Sequence, residues 1–84
     1  MNKISETARI GQDGFRFDRD KTGKLIEIPH DFGVKLGDDL RIGEFVTVDK
    51  GRWRDTVIGD NSKIDHYAHI AHNVIIGRSC LIHT

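Results

Sequence analysis

His66, His69 and His72 recur every three residues, and four of the five histidines in this chain follow Ile64. Imidazole has an unperturbed pKa near 6.5 and exchanges a proton readily at neutral pH, so the cluster first raises acid–base chemistry. Metal binding is the second reading, since catalytic zinc takes three protein ligands. Nucleophilic routes have no support: the chain has no Gly-x-Ser-x-Gly elbow, no Gly-rich phosphate loop and no paired-cysteine knuckle. Cys80 is the single cysteine. It cannot close an internal disulfide, which agrees with a reducing compartment. Its place in the sequence frame reads as packing rather than thiol chemistry.

Acyl transfer from a thioester to an amine or hydroxyl asks little more of side chains than a base, with positioning supplying the rest. His72 is the candidate for that base. Lys50 holds the equivalent place one turn of the chain earlier. A cation one strand spacing away would favour neutral imidazole or else point at an anionic substrate. His66 and His69 read as surface positions.

These residues are positioned by a repeat. Ile58, Ile64, Ile70, Ile76 and Ile82 stand at an unbroken six-residue interval, a period that suits neither an α-helix nor a hairpin strand. Leu36, Ile42 and Val48 extend the frame upstream, and Ile4 and Ile10 form a further pair. The fifth place of each hexad is modest in size, as at Ala8, Val46, Ser62, Ala68, Val74 and Cys80. One inward aliphatic and one smaller residue per hexad predict a short flat strand and a sharp corner. Stacked coils then share a narrow core and a parallel hydrogen-bond ladder. The predicted columns are Leu36 with Ile58 and Ile76, Ile42 with Ile64 and Ile82, and Val48 with Ile70, giving an all-β parallel β-helix of about three coils. Residues 1–84 read as one such domain.

Two stretches break the frame. Residues 16–33 are too charged to line a thin core and are expected to protrude as a loop, with Asp20, Thr22 and Gly23 as turn formers and Leu25–Ile28 as a short strand ended by Pro29. Phe15 and Phe17 would either wall a ligand or anchor that loop. A smaller insertion, Arg54 to Val57, is expected to bulge one corner beside Trp53. Thirteen basic and thirteen acidic side chains balance, which argues against a nucleic-acid footprint. The first apolar segment is short and interrupted by charge, so no secretory signal or transmembrane segment is expected, and a cytoplasmic setting is the default.

The segments Ile10-Gly11-Gln12-Asp13-Gly14-Phe15-Arg16-Phe17, Ile28-Pro29, Val48-Asp49-Lys50-Gly51, Asp55 to Asp60, and Ile70-Ala71-His72-Asn73-Val74-Ile75-Ile76-Gly77 closely resemble the central solenoid of the UDP-3-O-acylglucosamine N-acyltransferases, both frame breaks included. The resemblance implies a left-handed parallel β-helix assembled as a homotrimer, with active sites between subunits. It further implies transfer of a hydroxyacyl chain from acyl carrier protein to the amine of a nucleotide-linked amino sugar in lipid A biosynthesis, with no bound cofactor and no metal. By the same resemblance His72 is the general base, and Asn73, Lys50, Asp49, Asp13 and Phe15 lie in the substrate-binding segments. The chain departs from the family pattern at His66, His69, Lys50, Arg52 and Trp53, and Lys lacks the planar fork of the usual Arg. Its length leads to the expectation of a fragment or reduced homologue with an open edge at Leu81–Thr84, prone to end-to-end stacking. Alternative readings are a non-enzymatic trimeric scaffold and an acetyl-CoA-dependent acetyltransferase acting on a nucleotide-linked sugar.

Overall fold

A strand of two or three residues buries almost nothing alone, so these segments gain stability only by stacking. The computed structural model, which describes residues 1–84, shows that arrangement in an elongated body of 48 × 22 × 18 Å. The strands are β1 (Lys3–Ile4), β2 (Arg9–Gln12), β3 (Phe17–Arg19), β4 (Leu25–Glu27), β5 (Val34–Leu36), β6 (Arg41–Ile42), β7 (Thr47–Asp49), β8 (Thr56–Ile58), β9 (Lys63–Ile64), β10 (His69–Ile70), β11 (Ile75–Ile76) and β12 (Leu81–Ile82). They form three parallel sheets, ordered β1-β6-β9-β12, β10-β7-β2 and β11-β8-β5, with an antiparallel β3-β4 hairpin set apart. No helix is long and apolar enough to cross a membrane.

The predicted columns are the observed register. Leu36 and Ile76 flank Ile58, Ile42 and Ile82 flank Ile64, and Ile70 lies beside Val48. The upstream pair joins the same ladders, Ile4 against Ile42 and Ile10 against Val48. Leu40, Ile42, Val46, Val48, Ile58, Ile64, Ala68, Ile70 and Ile76 make the buried core. Each buried large aliphatic side chain contributes about 1.5–3 kcal/mol. The small fifth places turn inward as expected. Ser62 is fully buried, donates to the Gly77 carbonyl at 2.8 Å and accepts the Cys80 N–H at 3.1 Å, while Cys80 packs against the core.

The corners repeat a left-handed backbone conformation. Asp39, Asn61 and Ser79 adopt φ of 58°, 61° and 55°, and Asn61 and Ser79 donate their N–H to Asp38 and Asp60, one rung below, at 2.8 Å each. Asn and Asp tolerate that conformation through short polar side chains. Phe45 and Tyr67 do not share that excuse, and at φ of 58° and 64° they stack on each other at 5.2 Å, which offsets part of the strain.

Both frame breaks differ in detail from expectation. Residues 16–33 are not simply a loop. Phe17, Asp18 and Arg19 pair with Glu27, Ile26 and Leu25 as a solvated hairpin, where charge carries no burial cost. The corner insertion lies earlier than 54–57. Thr56 and Val57 belong to β8, in register with Val34 and Lys35, and the residues that bulge run from Gly51 to Asp55 between β7 and β8. A hydroxyl explains the shift: Thr56 is fully buried and its Oγ1 accepts the Asn73 N–H at 3.0 Å, which commits it to the ladder.

Asp20 builds the hairpin turn. Its Oδ1 accepts the Thr22 hydroxyl at 2.7 Å and the N–H groups of Thr22 and Lys24 at 2.8 and 3.1 Å. The Thr22 hydroxyl, then the backbone donors, hold the Asp20 carboxyl below the usual aspartate range. A depressed folded value means that this stabilisation is present above the ordinary aspartate pKa and lost as pH falls through the lowered one. The Thr22 and Lys24 amide resonances are therefore expected to titrate together with a midpoint below the ordinary aspartate value of 3.8. A midpoint at or above that value would contradict the turn geometry.

Candidate functional site

Strands β2 and β7 run side by side, and the turn after β10 returns the chain to the same face, so residues distant in sequence meet there. The result is a cleft of about 450 Å³ lined by Gln12, Asp13, Phe15, Asp49, His69, Ala71 and His72. Four of the six residues singled out from sequence line it: Asp13, Phe15, Asp49 and His72. Lys50 and Asn73 do not line it, but each contacts a residue that does, Asp13 and His72 respectively.

Asp49 is the buried charge of the site. Its Oδ1 accepts Gln12 Nε2 at 2.9 Å, and its Oδ2 lies 3.4 Å from His69 Nε2. The same ring places Nδ1 2.6 Å from the Thr47 hydroxyl. A neutral imidazole fits both neighbours by donating from Nε2 to the carboxylate and accepting from Thr47 at Nδ1. His69, read from sequence as a surface residue, is exposed and is also a wall of the cleft. His66 lies elsewhere: it lines a second cleft with Arg41, Lys63, Asp65 and His83, and its Nδ1 accepts the Glu44 N–H at 2.7 Å. The three evenly spaced histidines thus serve two different faces.

Lys50 turns its charge on Asp13, with Nζ 3.1 Å from Oδ1. Sequence spacing placed it one strand from His72, where it would favour neutral imidazole or point at an anionic substrate. Asp13 intercepts it because β2 and β7 are paired, a contact invisible to the six-residue count. Phe15 is 89 % exposed and meets Phe17 edge to face at 5.0 Å, so it walls the cleft rim instead of anchoring the hairpin in the core.

His72 is held on three sides. Its ring meets His30 edge-on at 4.9 Å and Trp53 edge-on at 5.8 Å, and its Nδ1 lies 2.6 Å from Asn73 Nδ2. Asn73 is buried, with φ of 65°. Its Oδ1 accepts the N–H groups of Arg52, Trp53 and Arg54 at 2.9, 3.1 and 3.4 Å. Arg54 Nε closes the arrangement on the Asn73 carbonyl at 3.0 Å. This side chain, which the resemblance places in a substrate-binding segment, holds the 51–55 bulge and the imidazole.

His30 escaped the sequence reading. It is 2 % exposed, its Nδ1 lies 3.0 Å from the Ile28 carbonyl, and its Nε2 has no hydrogen-bond partner. Gly14 permits this packing, since a Cβ there would fall 2.6 Å from His30 Nε2 and 3.2 Å from His72 Cδ2. The available signal was His30 following Ile28-Pro29, a segment already noted for its motif.

Short strands stacked in three parallel sheets, with an imidazole-lined cleft on one face, are consistent with a hexapeptide-repeat β-helix. Residues 55–84 match the family described as bacterial transferase hexapeptide, six repeats. The particular likeness is to UDP-3-O-acylglucosamine N-acyltransferases. The chain is 51% identical over 75 residues to the one from Azorhizobium caulinodans, covering 89% of this chain and 21% of that protein. It is 51% identical over 79 residues to that of Methylorubrum populi, covering 94% and 22%. A probable mitochondrial UDP-3-O-acylglucosamine N-acyltransferase 2 of Arabidopsis thaliana is 48% identical over 73 residues, covering 87% and 24%. The chain therefore spans between a fifth and a quarter of the length of these relatives.

Proposed function

We propose that the cleft holding His72 is an acyl-transfer site, taking an acyl group from a thioester donor, acyl carrier protein or CoA, to the amine of a nucleotide-linked amino sugar. The observation that carries this reading is the meeting of His72, His69, Asp49, Asp13 and Phe15 around one cleft, in a chain about half identical to N-acyltransferases. A left-handed coil and a homotrimer in the cytoplasm complete the proposal, supported by the same resemblance.

The chemistry is simple in outline. The amine nitrogen attacks the thioester carbonyl carbon, a C–N bond forms, the C–S bond breaks, and the sulfur leaves as thiolate. The nitrogen gives up a proton to a base, and the thiolate is protonated. His72 is the proposed base, acting at Nε2 in the tautomer that carries the ring proton on Nδ1. Asp13 and Asp49 lie on the same wall, and Phe15 gives the acyl chain or sugar an apolar edge.

The test uses the purified protein with acyl-loaded carrier protein and with acyl-CoA, each against a UDP-linked 3-O-acylated glucosamine, the amide product being followed by mass spectrometry. A new amide from either donor supports the reading, and the donor that yields it fixes the thioester class. Consumption of neither donor in the presence of acceptor would sink it and leave the solenoid as a scaffold.

A further inference from the structure

We infer that Asn73 is a positioning residue that fixes the proton of neutral His72 on Nε2 and so holds the proposed base in its non-basic tautomer until the amide lets go. The inference rests on the acyl-transfer reading only for its consequence, since the hydrogen bonds stand without it.

An asparagine amide has one accepting end and one donating end, and its surroundings decide which way it points. Here three backbone donors decide. Arg52, Trp53 and Arg54 all aim N–H groups at a single Asn73 atom, at 2.9, 3.1 and 3.4 Å. That atom must be the oxygen, because an NH2 group there would face three donors. The other end, Nδ2, is therefore the group 2.6 Å from His72 Nδ1. A donor faces that ring nitrogen, so in the neutral ring Nδ1 is the acceptor and the proton resides on Nε2.

The consequence is mechanistic. A base working at Nε2 needs that nitrogen bare and the ring proton on Nδ1, where Nδ2 now stands. Turning the ring over would disturb its edge contacts with His30 and Trp53, at 4.9 and 5.8 Å. Resting His72 thus presents a hydrogen-bond donor to the cleft. Activation requires Asn73 to move, and its oxygen is tied to the 51–55 bulge. That bulge carries Arg52 and Trp53, and the Trp53 ring meets the imidazole itself. Any ligand that shifts it would release the base.

Asn73→Asp tests the latch. A carboxylate keeps one oxygen for the three N–H groups and offers the other as an acceptor to His72 Nδ1–H, reversing the tautomer and freeing Nε2. Long-range ¹H–¹⁵N correlation spectra of the side chain give the readout. The native protein is expected to show His72 protonated on Nε2 alone in its neutral form, and the variant on Nδ1. The variant's kcat should rise by roughly tenfold, the scale of one hydrogen bond removed from the path. A native spectrum with the proton on Nδ1 overturns the inference, whether or not the variant folds. So does a reversed tautomer accompanied by a lower kcat. If neither protein transfers an acyl group, the functional reading fails while the spectra still decide the tautomer.

Discussion

Replacing His72 by alanine is expected to lower kcat for acyl transfer by about two to four orders of magnitude, the usual span for a positioned general base or acid. In free-energy terms that is about 2.7–5.5 kcal/mol of transition-state stabilisation. The fold should survive. His72 is half-buried, and the substitution loses its edge contacts with His30 and Trp53 and its hydrogen bond with Asn73. Edge contacts of that kind are worth about 1 kcal/mol each. His66→Ala provides the comparison, because His66 lines the other cleft and should leave the rate unchanged. Steady-state kinetics beside a melting curve separate the two effects. An unchanged rate in the His72 variant would remove it from the chemistry, and an equal loss in both variants would point to a general structural effect.

Much of the architecture was readable because a six-residue period is a direct image of stacking. Every aliphatic in the frame from Leu36 to Ile82 found its predicted neighbour, since a residue that must point inward on each rung leaves few other registers. Cleft residues were legible where they sat in recognisable segments, as with Asp13, Phe15, Asp49 and His72. What escaped was set by contacts between elements. The Lys50 charge depends on β2 lying beside β7, so counting along the chain did not show its pairing with Asp13. His69 reads as an ordinary outward residue until Asp49 and Thr47 are seen against its two nitrogens. His30 lies in a segment without the period, and its burial against Gly14 is a tertiary accident of the hairpin returning to the solenoid. The second arm of the hairpin, Leu25–Glu27, lies within the strand read at Leu25–Ile28; its partner Phe17–Arg19 was missed because charge excludes a strand from a core, not from a ribbon solvated on both faces.

The site and the fold share one vulnerable point, and Gly51→Ala is expected to show it. A Cβ at Gly51 would sit 1.5 Å from the Arg54 carbonyl oxygen and 2.6 Å from its carbon. Both belong to backbone, so no rotamer change relieves the overlap, and the 51–55 bulge must open. More than the bulge depends on that backbone. The Gly51 N–H donates to the Gly33 carbonyl at 3.1 Å, and the Gly51 carbonyl accepts the Phe32 N–H at 2.9 Å, which ties the end of the hairpin segment to the solenoid. Arg52, Trp53 and Arg54, the next three residues, supply the donors that orient Asn73. The expected cost is about 3 kcal/mol or more, the upper end for overpacking that backbone must absorb. In a chain of this size that lowers the melting temperature by about 12 °C or more. Displaced donors would also free the Asn73 amide to turn, so the His72 side-chain nitrogens in any protein that remains folded should no longer show a single fixed tautomer. A variant as stable as the native protein would mean that the bulge yields without strain. Native stability joined to an unchanged His72 spectrum would sever the proposed link between the bulge and the His72 imidazole.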